Sequence, residues 1–315
     1  GQLPQKLIKL FSDSLADSLS LSLLSENRNA LASDIDRLGD PVIGEDIFRR
    51  DNVACMSCHA IGSVGSTIGP NLVAVGSGAS TSYMIEAVLE PNASIAEHYE
   101  NMLFTMTDNS MHMGVIAYQD EREVIIQDSA LGEEVKLPVG KIRSKASMPS
   151  LMPAGLADQL ESRKEFLDLA KFLSVPGQPG PFANNERPYL RKWRLVAGSG
   201  NDLPSESANW MTAYSKVNGE LPFEDIDLGG KLFARGVVDV QAAGAVVLDV
   251  NSLKGLQLWI DGEAVADPSA SIDLEKGHKE FVFAIDPTKR DKAGLKVEIV
   301  SARNSSAKFK PEEGI

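Results

Sequence analysis

The chain contains 315 residues, 43% of them hydrophobic and 24% charged, which is typical of a globular protein long enough for two or three domains. Its formal net charge of −13 at pH 7 argues against nucleic acid as a ligand, because the phosphate backbone would repel so acidic a surface. No apolar run approaches the roughly 20 residues of a membrane-spanning helix, so we expect no transmembrane segment.

The N-terminal segment, residues 1–40, is rich in leucine at helical spacing. The pattern predicts two amphipathic helices over residues 3 to about 38, interrupted around Asn27–Asn29. We assign no chemistry to this segment and interpret it as a packing element.

Residues 55–59 read Cys-Met-Ser-Cys-His and contain the only two cysteines of the chain. This C-x-x-C-H pattern is the attachment signature of a c-type haem. The thiols of Cys55 and Cys58 would each bond one porphyrin vinyl group, and this requires them to lie about one helical turn apart. His59 follows directly and would be the proximal iron ligand. The motif therefore predicts one covalently attached haem c.

Two other uses of such a motif are a zinc half-site and a redox dithiol. Zinc would need a second pair of ligands, and the other histidines, His98, His112 and His278, are too far apart in the sequence to supply one. A thioredoxin-like dithiol would need a βαβ context, which the following glycine-rich loop does not offer. Haem attachment is therefore favoured. Because c-type haem is assembled outside the bacterial cytoplasm, we expect a periplasmic or exported protein whose leader has been removed.

Two helices are predicted to flank the motif. The first covers residues 43–50, where Gly44 lets another helix approach closely and Phe48 covers the haem edge. The second covers residues 80–89 and ends at Pro91.

A glycine- and serine-rich loop after the motif ends in Gly69-Pro70-Asn71-Leu72. Proline lacks an N–H but has a carbonyl oxygen. We expect the Pro70 carbonyl to accept the proton on the far nitrogen of His59, which would fix the tautomer and orient the ligand.

Residues 98–146 change to short β-like runs separated by turns, which predicts five strands in a small sheet inserted into a helical domain. Helical signals return at residues 163–173. Residues 176–188 form a linker too rich in proline and glycine for regular structure, and they mark a domain boundary. Strand candidates and the Asp261-Gly262 hairpin turn predict an antiparallel β-sandwich over residues 189–315.

The order of these parts resembles a class I cytochrome c, in which helices enclose a haem held by a histidine on one face and a methionine on the other. More narrowly, residues 44–174 resemble the haem-binding domain family of Planctomycetes and Verrucomicrobia, in which a β insert separates the middle helix from the methionine. One departure is Asn109, where the family prefers a glycine at a hairpin tip, although asparagine also tolerates a positive φ. The matching segments are residues 44–48, 55–59, 69–72, Pro91, Tyr99, the β runs, 150–156 and 166–173.

The resemblance implies a multidomain α+β protein. Residues 41–175 would form a helical cytochrome c domain with a β insert at about 98–146, and a β-sandwich would follow. Members of the family often stand at the C-terminal end of large proteins of the sugar-dehydrogenase type. The resemblance therefore also implies that residues 1–40 are the last piece of such a preceding part.

The resemblance further implies Met152 as the sixth iron ligand, and a thioether would favour Fe(II) and raise the reduction potential. Met148 also precedes a proline and stays open as an alternative. His112, His98 and an open distal site are the remaining alternatives.

The predicted function is single-electron transfer between a periplasmic dehydrogenase donor and an electron acceptor, without enzymatic activity of its own. The first alternative is a haem peroxidase or gas sensor with an open distal site. The second is binding of carbohydrate or docking of a partner protein by the C-terminal sandwich, which is similar in a general way to modules of carbohydrate-active and adhesive proteins. A flat sugar-binding surface there would consist of Trp193, Trp210 and Trp259, although tryptophans of a sandwich are more often buried in its core. The third alternative is a purely structural role of the protein as a spacer.

Overall fold

The computed structural model describes residues 18–128, 133–183, 187–198, 200, 202–223 and 230–312. The described residues form a mixed helical and β structure with antiparallel sheets. They divide into two compact units, one up to Gly62 together with Ser66–Pro179 and the other Ser63–Gly65 together with the chain from Gly180 onward. None of the described helices combines the length and the apolar composition that crossing a membrane requires.

The helices of the first unit all begin at a serine, asparagine or aspartate whose side chain accepts a backbone hydrogen bond from the first turn. They are α1 (Leu19–Ser25), α2 (Arg28–Leu38), α3 (Pro41–Arg49), α4 (Leu72–Gly78), α5 (Thr81–Leu89) and α6 (Arg163–Leu173). The predicted helical pattern at residues 3–17 lies outside the described residues. The short, glycine-containing α4 was not expected from the sequence.

Helices α1 and α2 pack within the first unit. Leu31 and Ile35 of α2 are buried. The guanidinium of Arg163, at the start of α6, donates to Glu26 at 2.8 and 2.7 Å and to Asp34 at 2.9 Å. The N-terminal helices therefore belong to the same unit as the Cys-His motif.

Helices α3 and α6 approach each other closely at Gly44, as the small residue there predicts. A Cβ atom on Gly44 would lie 2.1 Å from the carbonyl oxygen of Asp168 and 2.7 Å from Cβ of Phe172. One turn further on, the rings of Phe48 and Phe172 contact each other in a tilted arrangement, with their centroids 5.5 Å apart. This contact forms one wall of the unit's interior.

The insert is a five-stranded antiparallel sheet, with strands at the five predicted positions. Two short strands, β1 (Ala60–Ile61) and β2 (Val64–Gly65), precede it in the chain, and its own strands are β3 (Asn101–Met106), β4 (Met111–Gln119), β5 (Glu123–Asp128), β6 (Glu134–Pro138) and β7 (Ile142–Ser147). They run in the spatial order β6-β5-β4-β3-β7, so the first and last strands of the insert are neighbours. Phe104 and Ile126 are central to its small apolar core. Asn109 occupies the β3–β4 turn with φ 70°.

The boundary between the units lies inside the proline- and glycine-rich stretch 176–188. The beginning of this stretch is packed, contrary to the expectation of a free linker. The Gln178 amide donates to the carbonyls of Gly76 and Ser174 at 2.9 and 2.7 Å. A Cβ on Gly177 would lie 2.5 Å from the Val73 carbonyl oxygen, so the missing side chain lets this backbone lie against α4.

The second unit contains two antiparallel sheets whose inner faces share one apolar core. The strands are β8 (Lys192–Gly198), β9 (Met211–Tyr214), β10 (Glu220–Pro222), β11 (Lys231–Ala242), β12 (Gly244–Val250), β13 (Leu256–Ile260), β14 (Glu263–Ala264), β15 (Ile272–Leu274), β16 (Gly277–Ile285), β17 (Gly294–Ser301) and β18 (Lys308–Pro311). The larger sheet has the order β14-β13-β16-β11-β8-β9, with β18 also pairing to β11, and the smaller has the order β10-β17-β12-β15. The Asp261-Gly262 turn joins two neighbouring strands of the larger sheet, β13 and β14.

The three tryptophans of this unit lie on opposite faces of the larger sheet. Trp193 is 0% exposed in the shared core, where its indole donates to Ser215 at 2.9 Å. Trp210 and Trp259 pack in a separate cluster with Phe233, which follows the core residue Leu232 along β11 and so points the other way. The three rings therefore do not form one flat sugar-binding surface.

Candidate cofactor site

A cavity of about 420 Å³ lies inside the first unit, within the roughly 300–1,000 Å³ typical of ligand pockets. Helices α3, α4, α5 and α6 each contribute to its wall, through side chains such as Phe48, Leu72, Val88 and Leu169. The lining is chiefly apolar, as a site for a large hydrophobic cofactor requires.

The residues predicted from the sequence to hold a cofactor all line this cavity. They are Cys55, Cys58, His59, Pro70 and Met152. The alternatives for a second axial ligand do not line it: Met148, His98 and His112 are absent from its wall. His98 is exposed, with 83% of its side chain accessible.

The Cys-His motif is wound into a single tight turn. Residues Cys55–Ser57 form a 3₁₀ turn, preceded by Ala54 with a φ of 54°. The amides of Cys58 and His59 both donate to the Cys55 carbonyl, at 3.2 and 2.9 Å. The turn brings both thiols and the imidazole to the same cavity wall, which is the arrangement that attachment of one porphyrin needs.

The imidazole of His59 is held by one backbone hydrogen bond. Its Nδ1 lies 2.8 Å from the Pro70 carbonyl oxygen. A carbonyl only accepts, so Nδ1 carries the proton and Nε2 keeps its lone pair for a metal. Burial lowers the pKa of His59 below its ordinary value, against the opposing effect of the bond to Pro70. The ring is therefore neutral at pH 7, which is the form that binds iron.

Two residues of the loop after the motif shape this arrangement. A Cβ on Gly69 would lie 2.8 Å from Cε1 and 3.0 Å from Nδ1 of His59, so only glycine leaves room for the ring. The Gly69 amide also donates to the Cys58 carbonyl at 2.7 Å. The side chain of Asn71 accepts from the amides of Gly62 and Val73, both at 3.1 Å, and donates to the Gly62 carbonyl. Asn71 thus closes the loop and caps α4, a role that sequence reasoning missed and that its position before a helix could have indicated.

The environment of the two cysteines does not favour a redox dithiol. Burial, with a smaller effect of neighbouring Cys58, raises the pKa of the Cys55 thiol to about 12. Burial also raises the pKa of Cys58. Reactive dithiols instead have a thiol pKa lowered by positive surroundings. Both side chains are therefore protonated thiols, half-buried in the cavity wall.

Two methionines line the cavity. Met152 lies in the loop before α6, and its amide donates to the hydroxyl of Ser150 at 3.2 Å. Met84 lies on α5 and is only 3% exposed. Sequence reasoning did not weigh Met84, although its helical spacing with Ala87 and Val88 marks the apolar face of α5.

The residues present fit a haem c. The wall provides two thiols for covalent attachment, a neutral imidazole with a free Nε2 and a thioether, surrounded by apolar side chains. A zinc site is not supported, since the described part of the chain contains no group of three or more His, Cys, Asp or Glu side chains arranged to hold a metal ion.

A comparison with known protein families and with curated proteins finds no match for this chain. The residues of the cavity therefore carry the functional conclusion.

Proposed function

We propose that the protein is a c-type cytochrome, an electron-transfer protein that holds one haem c in the cavity of its first unit. The observation that carries this proposal is the convergence of Cys55, Cys58, His59 and Met152 on one apolar cavity. More narrowly, we propose that residues 41–175 are a class I cytochrome c domain with a β insert, of the type found in the haem-binding domains of Planctomycetes and Verrucomicrobia.

In this proposal each group of the wall has one task. Cys55 and Cys58 attach the cofactor, and the Pro70 carbonyl keeps His59 in the tautomer that offers Nε2. Met152 would supply a thioether ligand, which favours the reduced state and so raises the potential. A bound haem would supply one-electron chemistry between Fe(III) and Fe(II). The apolar wall limits access of water.

The proposed setting is the periplasm or the cell exterior, where c-type haem is attached. The proposed partners are a dehydrogenase that donates electrons and a separate electron acceptor. Enzymatic activity of its own is not proposed, because a thioether as the second iron ligand would close the iron to substrates.

The test of ligation is the optical spectrum of the purified oxidised protein, in which a weak far-red band reports a bond between methionine sulfur and Fe(III). We expect this band in the parent protein and its loss in Met152→Ala, together with a lower potential. Met148→Ala is a control outside the cavity wall, and Met84→Leu is a control inside it, since leucine replaces methionine at little cost in packing. Loss of the band in either control, but not in Met152→Ala, would move the ligand to that residue. High-spin iron that binds CO rapidly in the parent would favour a peroxidase or gas sensor.

Attachment is tested separately by the spectrum of the haem in alkaline pyridine. Replacement of Cys55 or Cys58 by alanine leaves one vinyl group unreacted, which extends the conjugation of the porphyrin. We expect the pyridine spectrum of each variant to shift to longer wavelength. An unshifted spectrum would contradict the covalent attachment.

A further inference from the structure

The five-stranded sheet leaves the helical part of the first unit and returns to it at nearly the same place. Its outer strand β7 pairs with the first strand, β3, with Met102 opposite Ser147. The next residues of the chain lead directly into the loop that carries Met152. The end of the sheet is therefore the fixed point from which this loop begins.

Asn101, the first residue of β3, joins this fixed point to the loop with two hydrogen bonds. Its backbone carbonyl accepts from the Met148 amide at 2.8 Å. Its side-chain amide donates to the Pro149 carbonyl at 3.1 Å. Asn101 is only 4% exposed, so its side chain makes this contact in the interior.

The side-chain oxygen of Asn101 has no hydrogen-bond partner among the described residues. A buried polar atom without a partner is unfavourable, and an apolar side chain of the same size would avoid it. An asparagine at this position is therefore unfavourable unless the hydrogen bond donated by its side-chain N–H group is needed. The only described acceptor of that group is the Pro149 carbonyl.

A second asparagine holds the same loop nearer to Met152. The Asn92 side chain, in the turn after α5, accepts from the Ser150 amide at 2.8 Å. The Ser150 hydroxyl in turn accepts from the Met152 amide at 3.2 Å. Asn92 therefore reaches the backbone of Met152 through Ser150. Asn101 fixes the preceding part of the same loop, at Met148 and Pro149.

We propose that Asn101 and Asn92 are positioning residues, which hold the loop so that the Met152 thioether stays on the iron. This inference rests on the proposed function, because it assigns these residues a role in the stability of the methionine ligand. The inserted sheet would then also have a function, because it anchors the loop that carries Met152.

The experiment uses the full chain with attached haem. Asn101→Leu removes the donor but keeps the number and branching of the side-chain heavy atoms. Asn92→Leu removes the acceptor, whereas Asn92→Asp keeps an acceptor. In Asn101→Leu and Asn92→Leu we expect the far-red band to weaken at a temperature at which the parent keeps it, and imidazole to bind the oxidised iron at least tenfold faster. We expect Asn92→Asp to behave like the parent.

Val124→Ala serves as the matched control for a general loss of stability. Val124 is 3% exposed in the apolar core of the same sheet. It takes no part in the hydrogen bonds that hold the loop. We expect it to lower the unfolding temperature without accelerating the binding of imidazole. If Asn101→Leu does not fold, the two Asn92 variants decide the outcome, since Asn92 is exposed.

Two results would overturn the inference, and they are distinguishable. Unchanged imidazole binding in both leucine variants, with the band of the parent intact and abolished by Met152→Ala, would refute the positioning role alone. A parent protein without covalently attached haem, shown by its pyridine spectrum, would refute the proposed function and this inference with it.

Discussion

At Gly69 the cofactor site has no room for a side chain. The His59 ring occupies the space that a side chain on residue 69 would need, and the residue 69 amide is committed to the Cys58 carbonyl. The position of the imidazole thus depends on a neighbour without chemistry of its own.

We therefore expect Gly69→Ala to displace His59 from the Pro70 carbonyl, at a cost of about 1–3 kcal/mol typical of overpacking. The measurement is the ratio of haem absorbance to protein absorbance after purification, together with the spin state of the iron. The ratio should fall, and the remaining haem should contain high-spin iron.

Gly78→Ala is the matched control, because an added Cβ at Gly78, in the last turn of α4, would meet nothing within 4 Å. Alanine there should retain haem and stability. If Gly69→Ala also retained the parent's spectrum, the close contact with His59 would not matter for ligation.

At the scale of secondary-structure elements, the close contact between helices α3 and α6 likewise leaves no room for a side chain at a glycine. These two helices carry Phe48 and Phe172, and their approach closes one wall of the cavity. Because Gly44 lies against the Asp168 carbonyl, a methyl group there must push the helices apart.

We expect Gly44→Ala to lower the free energy of unfolding by at least about 2 kcal/mol, since both the backbone of α6 and the Phe172 side chain would have to move. Urea unfolding followed by circular dichroism measures this. Gly140→Ala provides the comparison, because an added Cβ at Gly140 has no neighbour within 4 Å. Equal stability of the two variants would show that the helices can separate at no cost.

At the scale of the whole molecule, the two units have separate apolar cores. The second unit has Trp193 at its centre, fully buried and hydrogen-bonded to Ser215. Among the described residues, the cavity in which we propose that haem binds is lined only by residues of the first unit.

We expect Trp193→Ala to destabilise the second unit by about 3–5 kcal/mol, as the removal of a buried tryptophan does. The far-red band and the reduction potential should not change. Calorimetry and a redox titration of the same sample measure the two effects. A shift of the potential in this variant would show that the second unit influences the iron, and unchanged unfolding would contradict the central position of Trp193 in the core.

Much of the architecture was predictable, because the sequence patterns that indicate it involve residues close together in the chain. The five strands of the insert and the Asp261-Gly262 hairpin follow from alternation and turn residues, which depend on neighbours in the chain. Helix α4 was missed because it is short and ends in a glycine-containing stretch, so its formation depends on the Asn71 cap and on packing against residues 176–177.

The Cys-His motif by itself determined the cofactor that we propose, since five consecutive residues contain both attachment groups and one ligand. Only the tertiary structure decided which of Met148 and Met152 lies in the same cavity as that motif. Met148 and Met152 stand in similar Met-Pro contexts, yet of these two only Met152 lines the cavity, and Asn101 and Asn92 hydrogen-bond the residues between them. The physical reason is that a motif is a local pattern, whereas the meeting of residues distant in the chain depends on the packing of every element between them.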